Sequence, residues 1–190
     1  MNHLEITIQL PEWMSYYVQD NITCPGTEDK MRLAIELSRE NVTRRTGGPF
    51  GAAVFSADGT LIAAGVNIVE PGRCSVLHAE IVAIMMAQKV LGRYDMSDKG
   101  RLHFDLIATT EPCAMCYGAV VWSGVKRLIC GARGKDAEDI GFDEGPKLPN
   151  WKQALEDRSI EVITDVLRDD AAAVLRQYAA QGGQIYNAGT

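Results

Sequence analysis

The chain has 190 residues, of which 46% are apolar and 23% charged, with a formal net charge of −6. That length fits one domain whose core can fold without disulfide staples. The acidic balance, with no basic run longer than Arg44-Arg45, argues against a chain whose affinity rests on neutralising a phosphate backbone.

Residues 1–26 read as an extension packed on the core. Ile6, Ile8 and Leu10 alternate as in a short strand, and Pro11 and Cys24-Pro25-Gly26 break regular structure. From Thr27, the expected N-cap, Met31, Ile35, Leu37-Ser38 and Val42 recur at helical spacing until Gly47-Gly48-Pro49. A hairpin is predicted over 50–56 and 61–69, turning at Ala57-Asp58-Gly59. After a loop with Pro71-Gly72, a helix is expected over 78–91 with Gly92 as its stop. Residues 104–110 read as a buried strand, 112–122 as a helix ended by Gly124, and 126–132 as another strand. Residues 133–150 form a polar loop long enough to carry function. A short helix at 151–156, a strand at 160–166 and an Ala-rich helix at 169–180 complete the pattern.

This order predicts an α/β fold with three layers, α/β/α, around a central mixed five-stranded sheet. The expected organisation is an extension at 1–26, one catalytic domain at 27–181 and a tail at 182–190. No export signal is visible, and the most apolar stretch, 81–87, is too short to span a bilayer. The five cysteines are therefore expected to be thiols or metal ligands of a cytoplasmic protein.

Two motifs carry chemistry: His78-Ala79-Glu80, and Glu111-Pro112-Cys113-Ala114-Met115-Cys116. At a helix start, the Cys113–Cys116 spacing puts both sulfurs on one side, and the positive end of the helix favours thiolates. Two thiolates and a neutral imidazole balance Zn²⁺ and leave a fourth position open, as in catalytic zinc sites. Zn²⁺ is thus the expected cofactor, held by His78, Cys113 and Cys116. Glu80, in the first turn, is the expected proton shuttle, since a carboxylate there can take a proton from an acidified water and return it to the substrate. Alone, Glu80 would read as an acid stabilising the helix dipole. His3 and His103 read as bystanders.

The combination H-x-E…P-C-x-x-C is the signature of zinc-dependent base deaminases. The sequence resembles the cytidine deaminase-like superfamily over about residues 27–180, with spacing nearest to its tRNA-adenosine and bacterial guanine deaminase branches. Gly48-Pro49-Phe50-Gly51-Ala52 is similar to their first-strand motif, and Pro112 to Ala119 continues the match. Gly141-Phe142-Asp143-Glu144 and Trp122 resemble the guanine branch. The resemblance implies hydrolytic deamination of guanine to xanthine and ammonia, by a water activated on zinc. It makes Glu80 and Glu144 catalytic. It makes Asn67, Phe50, Trp122, Glu144 and Tyr186 substrate-binding, with Tyr186 on a tail that closes its own or a partner's site. It also implies a homodimer acting on a small purine base, with no nucleic acid and no membrane.

The chemistry of guanine fits: an acceptor-only carboxylate matches its ring and amine donors, and adenine lacks the ring donor. Outside the resemblance, Asn67 reads as a strand-end residue, Phe50 as core, Glu144 as a solvated loop acid and Tyr186 as a chain end. Three alternatives stand beside guanine: a tRNA adenosine deaminase, a deaminase of a guanine-like aminotriazine or cytosine-type base, and a non-catalytic structural zinc protein.

Overall fold

A computed structural model describes residues 6–19 and 22–187. Its core is a five-stranded sheet built from β1 (Gly51–Ser56), β2 (Leu61–Val66), β3 (Phe104–Thr110), β4 (Arg127–Ala132) and β5 (Glu161–Ile163), in the order β2-β1-β3-β4-β5. β1 runs antiparallel to β2 and β3, and β3, β4 and β5 run parallel. The mixed α/β/α sandwich expected from the element order is the fold observed.

Period-two alternation sorts the strands between two cores. Ala53, Phe55, Ile107 and Ile129 face helices α1 (Thr27–Thr43) and α7 (Arg168–Ala180). Ala52, Val54, Leu106 and Leu128 face the opposite layer, which holds α3 (Ala79–Leu91) and α4 (Ala114–Ser123). Gly65 lets α3 pack close on β2: a Cβ there would stand 2.4 Å from the Ala79 carbonyl oxygen. α6 (Trp151–Glu156) closes the same face through buried Trp151 and Leu155.

Several expectations need correcting. Residues 6–11 form no strand; three alternating apolar residues supply no sheet partner, and the edge of β2 is met by Thr23 opposite Thr60. Thr27 is the first helical residue and Gly26 is the N-cap, its N–H donating to Asp29 Oδ2 at 3.3 Å. The Pro71-Gly72 loop is a helical turn, α2 (Val69–Gly72), and the 133–150 loop begins with α5 (Gly134–Glu138). The last strand stops at Ile163 because Asp165 and Leu167 take left-handed backbone angles (φ 65° and 51°) and Arg133 holds Asp165 at 2.7 Å. Among the described residues, no helix is long and apolar enough to cross a membrane.

Candidate metal centre and base pocket

The carboxyl ends of β3 and β4 and the Asn67 end of the hairpin open on one edge of the sheet, where ligands bind in open α/β folds. Both metal-site motifs start helices there. His78 is the N-cap of α3 (φ −69°, ψ 156°) and Cys113 the N-cap of α4 (φ −66°, ψ 173°). This corrects the expectation that α3 starts at residue 78 and α4 at residue 112. Neither side chain caps its own helix; the two turn toward each other, with His78 Nδ1 3.5 Å from Cys113 Sγ. Cys116 follows one turn into α4 and is fully buried. Ligand atoms of His78, Cys113 and Cys116 all lie within 4.8 Å of one another, and neither cysteine is in a disulfide.

The electrostatics match a cation site. The Cys113 thiol falls to about 4, chiefly through the hydrogen bond from Cys116 and despite burial, with His78 adding to the effect. Cys116 is pushed far up by donating that bond and by burial. Burial pulls the His78 imidazolium down, but the hydrogen bond to Cys113 and then the charges of Glu80 and Cys113 outweigh it and its pKa rises. One thiolate, one thiol and a paired imidazole form a set that a dication can organise by displacing protons. The donor types and their spacing fit Zn²⁺.

Glu80 lies beside them, only 8% exposed, and its carboxyl is raised by burial and then by the Cys113 charge. It lines a cavity of about 510 Å³ whose walls include Phe50, Val69, Phe142, Glu144 and Tyr186. Phe50 and Phe142 meet edge to face at 5.0 Å, and Phe142 and Tyr186 at 5.2 Å. Glu144 is held over the cavity because its carbonyl accepts the Ala114 N–H at 2.9 Å. Its Oε2 is buried without a hydrogen-bond partner, and burial followed by the charges of Cys113 and Glu80 pushes its carboxyl up to about 8.

Asn67 stands one layer behind the cavity wall, fully buried. Its Oδ1 accepts the Val69 N–H at 3.3 Å, while Nδ2 has no partner. Tyr186 reaches the same place: a Cβ on Gly48 would lie 2.8 Å from the Tyr186 hydroxyl and 3.0 Å from Asn67 Oδ1. The tail that carries Tyr186 folds over this chain's own site. Asn187 accepts the Asp143 N–H at 3.0 Å and donates to the Gly141 carbonyl at 2.9 Å.

Trp122 does not join the site. It is 81% exposed near the end of α4 and lines no part of the cavity. His103 lies beyond the other end of β3, 3.4 Å from Asp105. His3 falls outside the described residues. Asn41, not among the expected site residues, donates to the Asn67 carbonyl at 2.8 Å; its signal in the sequence is a polar residue on the apolar stripe of α1.

A His-Cys-Cys site at two helix N-termini, with a buried carboxylate on the adjoining pocket, is the architecture of a metal-dependent hydrolytic deaminase. Residues 26–132 match the cytidine and deoxycytidylate deaminase zinc-binding region. The chain belongs to that family, and its cofactor is zinc. It is 37% identical to the guanine deaminase of Bacillus subtilis over 133 residues, 70% of this chain and 81% of that protein. A solved guanine deaminase from Nitrosomonas europaea superposes with a TM-score of 0.90 at 46% identity, covering 95% of this chain and 99% of that one. A solved variant chain in complex with 8-azaguanine gives 0.90 at 47% identity, over 95% and 98%.

Proposed function

We propose that this chain is a zinc-dependent guanine deaminase, converting guanine and water to xanthine and ammonia. The observation that carries the reading is the placement of two carboxyls, buried Glu80 and half-buried Glu144, on one cavity that His78 and Cys113 also line, with the Cys116 sulfur within 4.8 Å of both their ligand atoms. Relatives described as guanine deaminases, and a relative holding a guanine analogue, support it.

His78, Cys113 and Cys116 hold the metal. Zinc bound there would supply a Lewis acid that lowers the pKa of a water to about 7. Glu80 takes the proton that the water loses as its oxygen bonds to carbon 2 of the ring. The same carboxyl passes protons to the ring nitrogen and to the amine that leaves as ammonia. Glu144, once ionised beside a bound dication, accepts from the ring and amine N–H groups of guanine. Asn67 Nδ2 offers the complementary donor. Phe50 and Phe142 together form an aromatic wall for the base, and Tyr186 covers it. We take 27–181 as the catalytic unit, with the described residues of the extension, 6–19 and 22–26, packed against it and 182–187 as its cover.

We further read the enzyme as a cytoplasmic homodimer. Free cysteines fit a reducing compartment. The outer face of α4, with Trp122 exposed and open space beside Gly118, is apolar enough to seat a second copy.

The test is ammonia release from guanine, adenine, cytosine, their nucleosides, aminotriazines and tRNA. Guanine should be turned over, and Glu80→Ala should keep its zinc while losing the rate by about 10²- to 10⁴-fold. Native turnover by zinc-loaded Glu80→Ala would remove Glu80 from its role. Preference for another substrate would replace guanine.

A further inference from the structure

We propose that Asn41 is a positioning residue for the base pocket, holding the Gly48 and Asn67 backbone from behind and tied through Thr46 to Trp13 of the N-terminal extension. Asn41 is fully buried on α1. Its Nδ2 donates to the Gly48 carbonyl at 2.9 Å and to the Asn67 carbonyl at 2.8 Å. The Thr46 hydroxyl donates to Asn41 Oδ1 at 2.7 Å and accepts the Trp13 indole N–H at 3.0 Å.

An indole nitrogen only donates and backbone carbonyls only accept, which sets the amide; the hydroxyl donates to Asn41 Oδ1 at 2.7 Å, with the Asn41 carbonyl a more distant acceptor at 3.5 Å. The relay runs from Trp13 to Thr46 to Asn41 and ends on two carbonyls. Those carbonyls flank the mouth of the hairpin, Gly48 ahead of β1 and Asn67 after β2. Two carbonyl oxygens aimed at one point repel unless a shared donor sits between them, and Asn41 is that donor. Gly47 is part of the device. A Cβ there would fall 1.9 Å from the Asn67 carbonyl oxygen and 2.8 Å from Asn41 Nδ2, so any side chain would force the clamp open.

The clamp bears directly on recognition. Asn67 Oδ1 is committed to the Val69 N–H, so the amide orientation follows the backbone that Asn41 holds. Its Nδ2 makes no fixed hydrogen bond and stands beside the Tyr186 hydroxyl, itself part of the cavity wall, so a shift of Asn67 is passed to the pocket. A shift of about 1 Å in such a group is enough to cost a large part of its contribution. The inference rests on the guanine reading only for the identity of the ligand.

Thr46 supplies the deciding pair of variants, Thr46→Val without the hydroxyl and Thr46→Ser with it. The readouts are KM and kcat for guanine, Kd for 8-azaguanine by calorimetry, zinc content, and hydrogen exchange at the Asn67 amide, which donates to the Phe50 carbonyl at 3.1 Å. Thr46→Val should raise KM and Kd by about 3- to 10-fold, with kcat within about twofold and zinc retained, and should speed exchange at Asn67. Thr46→Ser should match the parent. Asn41→Asp, which places an acceptor against two carbonyls, should raise Kd further. Equal behaviour of the two Thr46 variants overturns the proposal. So does a joint fall of zinc, kcat and binding in Thr46→Val, which marks a merely structural role. If the parent neither deaminates guanine nor binds 8-azaguanine, the functional reading fails by itself. Exchange then decides the clamp, and no acceleration in Thr46→Val over Thr46→Ser refutes it.

Discussion

Removing the Asp105 carboxylate should cost far more stability than removing the lysine paired with it, and should leave the chemistry alone. Asp105 is fully buried at the start of β3. It accepts from Lys30 Nζ at 2.7 Å and from Arg127 at 2.9 and 2.7 Å. The Lys30 side chain is only 4% exposed. Asp105→Ala strands that ammonium in the core, a class of change worth about 3–5 kcal/mol. For a chain of this size the loss lowers the melting temperature by on the order of 10 °C. Lys30→Met leaves Asp105 with both Arg127 bonds and keeps an apolar stem over Phe55, so about 1–2 kcal/mol is expected. Burial opposes the Asp105 charge, but the Arg127 and Lys30 hydrogen bonds overcome it and hold the carboxyl below the ordinary carboxylate range. A lowered folded pKa gives stability that is present above the unfolded value, about 3.9, and lost as pH falls through the folded value. The gap between parent and Asp105→Ala in urea melts should therefore be full at pH 7 and close below about pH 4. The cluster stands five residues from Thr110 along β3, roughly 17 Å from the site, so kcat and KM of the folded variants should not change. Equal losses for Asp105→Ala and Lys30→Met, or a gap that persists at low pH, would refute the reasoning.

Three further outcomes follow from the site. In chelated protein, Cys113, with its thiol at about 4, should be alkylated at pH 6 ahead of the other buried cysteines, Cys116 and Cys130, whose thiols are pushed up; zinc should block the reaction at Cys113, as peptide mapping would show. Ending the chain after Gln184 removes Tyr186 and Asn187 and opens the cavity, so KM for guanine should rise at least about tenfold with zinc unchanged; an unchanged KM would remove the tail from its covering role. Trp122→Glu should turn a dimer into a monomer in light scattering, because a charge on an apolar contact must be desolvated; an unaltered mass would move the subunit contact elsewhere.

The metal ligands were legible because their geometry is local. A Cys at a helix start and another three residues on fixes two sulfurs whatever the rest of the fold does. The sheet was legible from alternation such as Ala52, Ala53, Val54 and Phe55, where neighbouring residues face different cores. Trp122 shows what resemblance to a motif leaves out. A helix turns about 100° per residue, so Trp122 points roughly 200° from the buried Val120 and cannot share the face that carries Cys116. The same count applied to α1 places Ser38 and Asn41 on the buried stripe with Ala34 and Met31, and polar residues there call for partners. Ser38 Oγ finds no hydrogen-bond partner, while Asn41 finds Gly48 seven residues on and Asn67 across the hairpin; that pairing is made only when the hairpin closes, so no local pattern names it. Glu144 has the same character: its acid is one of several in a polar run, and only the Ala114 N–H bond selects it for the cavity. Chemistry set by short spacing is readable from the chain, while selectivity for a base depends on long-range hydrogen bonds. It is therefore at Asn41, Asn67 and Glu144, more than at the zinc ligands, that substitutions should change which base is accepted.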